Sequence, residues 1–268
     1  MRAYCVKCRA KKEMIPPSAI TMRNGMPATQ GKCPTCGTTI FRTGMAPRLH
    51  HSFTEDALSG IDGYTDEIAD HVANHARAVD RLSPHGKESL HRVTKYQRVY
   101  EGFGGHSYGT PGAEECAEKH LGIARRYYGQ PGNQEWQRQL GYAIHYIEDA
   151  NWFPHVFPFK EGLGPHTWAE LTTQFNYDAR DWADAAKSAP AVSIQSSAQI
   201  KDLLVKAADD TFDNHKCNYL RQDGTKIMQF GDRSALPAWG WEMTEEDIRG
   251  TLRDTAGLVK GAAAWVTG

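Results

Sequence analysis

The chain has 268 residues, of which 40% are hydrophobic and 24% charged, and its formal net charge is −1. This composition excludes a disordered chain, and the length allows one sizeable core with a small accessory module. The near-neutral charge excludes a bulk basic field that gathers nucleic acid or an anionic membrane, although it leaves open a local patch. No apolar run approaches the roughly 20 residues that cross a bilayer. The starting segment MRAYCVKCRAKKEM lacks the apolar part of a secretory signal, so we expect a cytoplasmic location, with peripheral membrane contact left open.

Two CxxC pairs open the chain, Cys5 with Cys8 and Cys33 with Cys36. Each pair offers two thiolates from one tight turn, and the four together complete a tetrahedral site. The sequence therefore predicts a structural zinc in a ribbon over residues 1–44, a segment too polar to fold well without metal. Disulfides or a redox CxxC are the alternatives, disfavoured without a signal peptide or a βαβ context. The segment resembles small zinc-ribbon modules fused to other domains, which leaves open a protein or nucleic-acid partner.

Helical patterning dominates the second region, residues 45–268. The stretch 53–80 begins with a Thr-Glu-Asp start signal, and its apolar residues recur at helical spacing. Pro-Gly pairs and Pro-rich loops punctuate the rest, and no useful run of alternating β-branched residues follows residue 45. The further helices are expected at about 86–100, 111–128, 133–152, 165–187, 198–210 and 244–266. This region is therefore predicted to be all-α.

Metal-binding side chains crowd into residues 145–170, HYIEDANWFPHVFPFKEGLGPHTWAE. His145 and Asp149 lie four residues apart on a predicted helix, so they share one face. His166 and Glu170 repeat this spacing, and His155 lies between the two pairs. A lone histidine on a helix is more often an interior or surface residue, but two such pairs around a third histidine favour a metal centre. Glu148 and Glu161 do not share the register of either pair, and we interpret them as surface charges.

The pattern H-x3-D-x5-H-x10-H-x3-E resembles the ligand core of the bacterial zinc-dependent phospholipase C family, which is related to trinuclear-zinc single-strand nucleases. The resemblance extends to His50 at the start of HHSFTEDAL, to Asp80 at the end of ANHARAVD, and to His106 in GGHSYG. The closing TLRDTAGLVKGAAAWVTG is also similar to the last helix of the family. The resemblance to this family covers the chain from about residue 50 to its last residue.

Three zinc sites are implied by this resemblance. One ion would be held by Asp80, His106, His145 and Asp149, a second by His50 and the bridging Asp149, and a third by His155, His166 and Glu170. Asp80 would also act with Asp149 in catalysis, as the base that orients the attacking water. Its alternative is a helix-end or surface carboxylate, because 25 residues separate it from His106 where the family has a shorter gap.

One feature departs from the family. Its secreted members begin with a Trp whose free amine and carbonyl bind the zinc that the first-helix histidine holds, but no Trp lies between residues 1 and 135 of this chain. Processing near Gly44 and Met45 would expose a new amine, another group such as His51 would fill in, or the site would be empty. His51 also competes with His50 as the first-helix ligand.

The resemblance favours phospholipase C-like cleavage of a phospholipid headgroup by metal-activated water. Glu170 within HTWAE and the absence of a GGN loop after the central histidine distinguish the chain from the related nucleases. A single-strand nuclease or phosphatase with the same zinc cluster is the alternative, as is a zinc-bound scaffold without catalysis. The aromatic residues near the ligands are candidates for a lipid or base pocket, or for core: Phe103, Tyr108, Trp152, Phe153 and Phe157.

The remaining histidines and cysteines are given structural roles. His71 and His75 lie four apart on the first predicted helix, but no third ligand is visible at a suitable spacing. Surface or capping roles are expected for His85, His91, His120 and His215. Cys116 and Cys217 have no local partner and are interpreted as ordinary thiols.

Overall fold

A computed structural model describes the chain over residues 2–21, 27–43, 47–79, 91, 93–94, 111–152, 155, 177, 182–215 and 245–268. Its strands lie in the first 43 residues, and the described residues after them contain helices and no strand. The all-α prediction for the second region is therefore confirmed. The expected domain boundary at residue 44 falls just outside the described ranges. None of the helices described is long and apolar enough to cross a membrane.

The N-terminal ribbon consists of two small antiparallel sheets. Its strands are β1 (Arg2–Cys5), β2 (Ala10–Glu13), β3 (Ile15–Thr21), β4 (Pro27–Lys32) and β5 (Thr39–Thr43). β1 pairs with β2, and β4 lies between β3 and β5. Met14 and Ile40 pack with the cysteines into a core of their own, and a Cβ built on Gly31 would lie only 2.1 Å from Met14 Cγ. The ribbon therefore has a side-chain core that is separate from the helical one.

Seven helices are described beyond the ribbon. They are α1 (Pro47–Leu58), α2 (Asp66–Ala78), α3 (Ala113–Tyr127), α4 (Glu135–Ala150), α5 (Ala183–Ser188), α6 (Ser197–His215) and α7 (Glu245–Thr267). The sequence pattern over 53–80 divides into α1 and α2, because Gly60 and Gly63 adopt left-handed φ angles of 78° and 85° between them. α2 then starts from an N-cap, where the Thr65 side chain accepts a hydrogen bond from the Ile68 N–H.

α4 is the central helix of this domain, and 13 of its 16 residues are buried. A single hydrophobic core takes residues from all seven helices, including Phe53, Val72, Leu121, Leu140, Ala183, Ile200 and Val259. α2 approaches α4 closely at Gly141, where an added Cβ would lie 2.5 Å from the Val72 carbonyl oxygen and 2.9 Å from the Ala76 nitrogen. The backbones therefore touch at this point, and only a glycine fits between them.

Gly141→Ala should destabilise the protein by about 1–3 kcal/mol, because α2 and α4 must separate to admit the methyl group. Gly122→Ala on α3 is the matched control, since its Cβ would meet only the Ser197 hydroxyl at 3.7 Å. The control should be neutral or stabilising by about 0.5–1 kcal/mol, as alanine is the better helix former. Midpoints of urea denaturation measure both, and equal midpoints for the two variants would contradict this packing.

Candidate metal centre

The side chains of His145 and Asp149 meet on one face of α4, as their spacing predicts. His145 Nε2 lies 3.0 Å from Asp149 Oδ2, and both residues are buried. Tyr146 and Ile147, which lie between them in sequence, are fully buried in the core. The carboxylate of Asp149 is thus held inside the domain, where it requires positively polarised partners.

His91 supplies the second histidine at this oxygen, although the sequence interpretation placed it at the surface or in a cap. That interpretation is wrong, because His91 is buried, with Nδ1 2.5 Å from Asp149 Oδ2 and 2.9 Å from His145 Nε2. One signal in the sequence pointed to it. His91 follows Asp80 by 11 positions, whereas the predicted ligand His106 follows it by 26, a spacing longer than the one that the resemblance implies.

The other carboxylate oxygen of Asp149 faces two further histidines. His155 Nδ1, beyond the end of α4, lies 3.4 Å from Oδ1, and His50 Nε2, on α1, lies 3.6 Å from it. His155 Nδ1 also lies 3.1 Å from the backbone oxygen of Asp149. Four histidines from separate parts of the chain therefore surround one carboxylate, two at each of its oxygens.

Glu148, interpreted from the sequence as a surface charge, is buried beside this cluster, so that interpretation is wrong. It projects from α4 toward α1, where His50 and Thr54 lie four residues apart on one face. His50 Nδ1 lies 2.5 Å from Glu148 Oε2, and the Thr54 hydroxyl donates to Glu148 Oε1 over 2.7 Å. Because Nδ1 contacts Glu148, Nε2 of the same ring is the atom that faces Asp149.

Electrostatics in the cluster follow from this arrangement. Burial alone would raise the pKa of Asp149, but the charges of His145, His155 and His50 outweigh it and hold this pKa well below its usual range. Burial and the charge of His145 lower the pKa of His50, while Asp149 and Glu148 together raise it to about 9. The carboxylate of Asp149 is therefore ionised, which is the form that binds a cation.

This donor set fits zinc. Imidazole nitrogens and a carboxylate are its usual ligands at catalytic sites, and here they converge on Asp149 from several chain segments. His91 Nδ1, His145 Nε2 and Asp149 Oδ2 lie within 3.0 Å of one another, a separation close to that of ligands on one ion. The Glu148–His50 contact is the outer-shell hydrogen bond typical of metal-binding histidines.

An apolar cavity opens beside the cluster. Leu49, Phe53, Trp152 and Leu252 line it together with His50 and Asp149. Of the aromatic residues that the sequence suggested for a pocket, Trp152 is therefore at the cavity wall, while Phe103, Tyr108, Phe153 and Phe157 lie outside the described residues. The cluster thus has a hydrophobic approach on at least one side.

Four of the predicted ligands, Asp80, His106, His166 and Glu170, lie outside the described residues. Their roles stay predictions. The structure brings together the other four predicted ligands of the helical domain, His50, His145, Asp149 and His155.

His51 points away from the Asp149 cluster. Its Nδ1 lies 3.0 Å from Glu55 Oε2 and its Nε2 lies 3.2 Å from Asp70 Oδ1, a carboxylate that is largely exposed. His50, rather than His51, is therefore the first-helix histidine that faces Asp149. On α2, His71 and His75 contact each other through their Nε2 atoms at 3.2 Å.

His120 was also interpreted as a surface or capping residue, and it is buried instead. Its Nδ1 lies 2.6 Å from Gln139 Oε1, and its ring stacks on Tyr146. It is a core histidine whose polar atom has a side-chain partner. Cys116 is likewise buried, and burial raises its pKa to about 11, in keeping with an ordinary thiol.

In the ribbon, the four predicted cysteines converge as the CxxC spacing requires. All four are free thiols with ligand atoms within 4.8 Å of one another. Cys5 Sγ lies 3.4 Å from Cys36 Sγ, and Cys8 Sγ lies 3.8 Å from Cys33 Sγ. Side-chain and backbone hydrogen bonds with Thr38 lower the pKa of Cys36 to about 6, which favours the thiolate that zinc binds. The arrangement fits a four-cysteine zinc site.

Comparisons with known proteins separate the two regions. Residues 4–43 match a family model described as a domain of unknown function (DUF5679). No curated protein matches the sequence. Among solved structures, the alpha toxin from Clostridium absonum is similar with a TM-score of 0.51 at 11% identity, over 83% of this chain and 62% of that one. The chain thus spans less than two thirds of that structure, and at this identity the likeness shows the fold alone.

The helical domain has a phospholipase C-like fold. The resemblance of the ligand pattern and the likeness of the fold therefore agree. In this phospholipase C-like domain, α4 carries the predicted ligands His145 and Asp149, and α1 places His50 beside them.

Replacement of His91 should remove metal from the phospholipase C-like domain. We expect His91→Ala to lower the zinc content by about one ion per chain, measured by elemental analysis of purified protein, because Asp149 Oδ2 and His145 lose their shared partner. His120→Ala is the control for loss of a buried histidine, and it should keep the full zinc content. An unchanged zinc content in folded His91→Ala would contradict a ligand role.

Glu148 should affect metal affinity without being a ligand. Glu148→Ala frees the His50 ring, and we expect about 10- to 100-fold weaker zinc binding in competition with a chelator. Glu148→Gln keeps an oxygen that accepts the His50 Nδ1 hydrogen bond, so it should lose less affinity. Equal losses in the two variants would indicate a purely structural role.

Proposed function

We propose that the chain is a zinc-dependent phosphodiester hydrolase that cleaves a phospholipid headgroup in the manner of a phospholipase C. The observation that carries this proposal is the buried Asp149 carboxylate, which presents each of its two oxygens to a pair of histidines. A carboxylate in this position is suited to bridge two cations. Paired cations are the usual device for displacement at phosphorus, because they bind both the attacking and the leaving oxygen.

The ligand assignment follows the geometry where it is described. We assign His91 and His145 with Asp149 Oδ2 to one zinc ion, and His50 with Asp149 Oδ1 to a second. His91 is added to this set from its contacts, and His106 stays a ligand predicted by the resemblance. Asp80 is retained as a further ligand of the first ion, and the third set remains as the resemblance implies, with His155, His166 and Glu170.

The protein's own side chains hold and orient this centre. Bound zinc would neutralise phosphate oxygens and lower the pKa of a water toward ~7. Asp149 faces His91 and His145 through Oδ2 and His50 through Oδ1, and Glu148 with Thr54 fixes the ring of His50. Asp80 is proposed as the base that orients the attacking water. Burial of the cluster excludes bulk water, which strengthens each of these electrostatic interactions.

The cavity wall supports a lipid as the substrate. Leu49, Phe53, Trp152 and Leu252 present apolar surface beside His50 and Asp149, which suits the glycerol and upper acyl carbons of a phospholipid. A single-strand nuclease with the same zinc ions is the alternative, and a metal-bound domain without catalysis is the second. The assays below separate the three.

Asp149→Asn should abolish hydrolysis and lower the zinc content, because the neutral amide cannot bridge two cations. Activity is assayed on a soluble phosphocholine ester and on single-stranded DNA, and zinc is counted by elemental analysis. About four zinc ions per wild-type chain are expected, one in the ribbon and three in the phospholipase C-like domain. Asp70→Asn is the matched control, because this exposed carboxylate faces His51 rather than the cluster.

Each outcome has a distinct meaning. Hydrolysis of the phosphocholine ester that is lost in Asp149→Asn and kept in Asp70→Asn supports the proposal. Cleavage of DNA alone would favour the nuclease. Absence of both activities in fully zinc-loaded protein would favour the scaffold, and wild-type activity in Asp149→Asn would overturn the proposed centre.

A further inference from the structure

Charge is distributed very unevenly between the two regions. Residues 1–44 contain eight lysines and arginines against the single acidic residue Glu13, a formal charge of +7. Because the whole chain carries −1, residues 45–268 carry −8. The ribbon is therefore a strongly basic module attached to an acidic one. A negatively charged surface would attract the ribbon and repel the rest of the chain.

The two zinc knuckles of the ribbon can be compared residue by residue. Both place a residue in the left-handed region directly after the second cysteine, Arg9 with φ 51° and Gly37 with φ 68°. Glycine is the residue that adopts this conformation without strain, and the second knuckle uses it. The first knuckle carries an arginine there at a conformational cost. The first knuckle thus carries a positive charge at a position where the second has glycine.

The tip residues of the knuckles differ in the same sense. The second knuckle presents Pro34 and Thr35, whereas the first presents Val6 and Lys7. Val6 is 71% exposed, the highest exposure among the large hydrophobic residues described, and Lys7 and Arg9 are exposed on either side of Cys8. Exposure of the Val6 side chain to water contributes no hydrophobic stabilisation to the fold. An apolar surface that covered it would therefore be stabilised.

The outward face of the larger sheet adds apolar surface. Ile15 pairs across the sheet with Lys32, and Phe41 pairs with Gln30, on the side opposite to buried Ile40. Ile15 is 52% exposed and Phe41 50% exposed. Lys32 directly precedes Cys33, so this face reaches the cysteine cluster that also holds the first knuckle. Exposed apolar groups thus recur among exposed cations around one small module.

We propose that the first knuckle, residues 5–9, docks the protein on the surface of an anionic lipid bilayer. Val6 enters the headgroup region, and Lys7 and Arg9 face the lipid phosphates. Shallow insertion of apolar side chains beside basic ones is the usual chemistry of interfacial binding. A nucleic acid fits residues 5–9 less well, because these five residues include no aromatic side chain on which a base could stack, and the exposed Phe41 lies on the sheet face instead.

Docking on a bilayer extends the proposed function, because its biological role depends on phospholipid being the substrate. An anionic bilayer repels the acidic phospholipase C-like domain and attracts the basic ribbon. Attachment through the ribbon therefore keeps the metal centre close to phospholipid. Docking itself needs no turnover. It can therefore be measured apart from hydrolysis, and a soluble phosphocholine ester reports the proposed function in the same unmodified protein.

The test is sedimentation of the full zinc-loaded chain with vesicles of about three parts phosphatidylcholine to one part phosphatidylserine. Wild-type protein should bind these vesicles, bind phosphatidylcholine alone weakly, and dissociate as salt is raised. Arg9→Gly should lower the affinity about fivefold, as should Val6→Ser. Arg9→Gly also removes the backbone strain, so loss of binding in that variant cannot be attributed to misfolding.

Two control variants keep the result specific. Arg126→Gln removes one exposed positive charge from α3, and Thr35→Ser alters the tip of the second knuckle; both should bind vesicles as wild type does. Wild-type protein that fails to bind anionic vesicles, or an Arg9→Gly variant with full affinity, would overturn the docking proposal. Tighter binding of a single-stranded oligonucleotide than of vesicles at the same salt, weakened by Arg9→Gly, would replace it with a nucleic-acid surface.

Discussion

The ionised carboxylate of Asp149, buried at the centre of the helical domain, is the constraint on which the remaining structure depends. An isolated buried carboxylate costs several kcal/mol, and the chain offsets this by directing four imidazole rings at it from separate segments. α4 must therefore be covered on nearly every side, which explains why 13 of its 16 residues are buried. The site and the core are built around the same helix.

Some residues of α4 form the site, and others pack the helix against its neighbours. His145 and Asp149 share a face because they are four residues apart, whereas Glu148 points toward α1 and meets His50 and Thr54. One turn further toward the N-terminus, Gly141 lets α2 approach to backbone contact. The polar contacts of the centre and the tight helix crossing thus fix α4 against two different neighbours.

The ribbon is held together by its cysteine cluster rather than by a large hydrophobic core. It has few core residues, so the cysteine cluster together with Met14 and Ile40 holds it, and its surface is left to carry charge. The opposite net charges of the ribbon and the phospholipase C-like domain fit the proposed division, in which the ribbon binds the bilayer and the helical domain hydrolyses the substrate. Each region brings together side chains that fit zinc, four cysteines in the ribbon and the histidines around Asp149 in the helical domain.

Local spacing in the sequence determined the four-cysteine cluster, the helical class of the second region, and the His145–Asp149 pair, because each depends on residues a few positions apart. His91, Glu148 and His120 were misjudged because their environment is set by segments far away in sequence: His91 is 58 residues from Asp149, and Glu148 is 98 from His50. Whether a single histidine or glutamate is buried depends on which helix packs over it. A periodic pattern gives the face of a helix, but the partner of that face is decided only when the chain has packed.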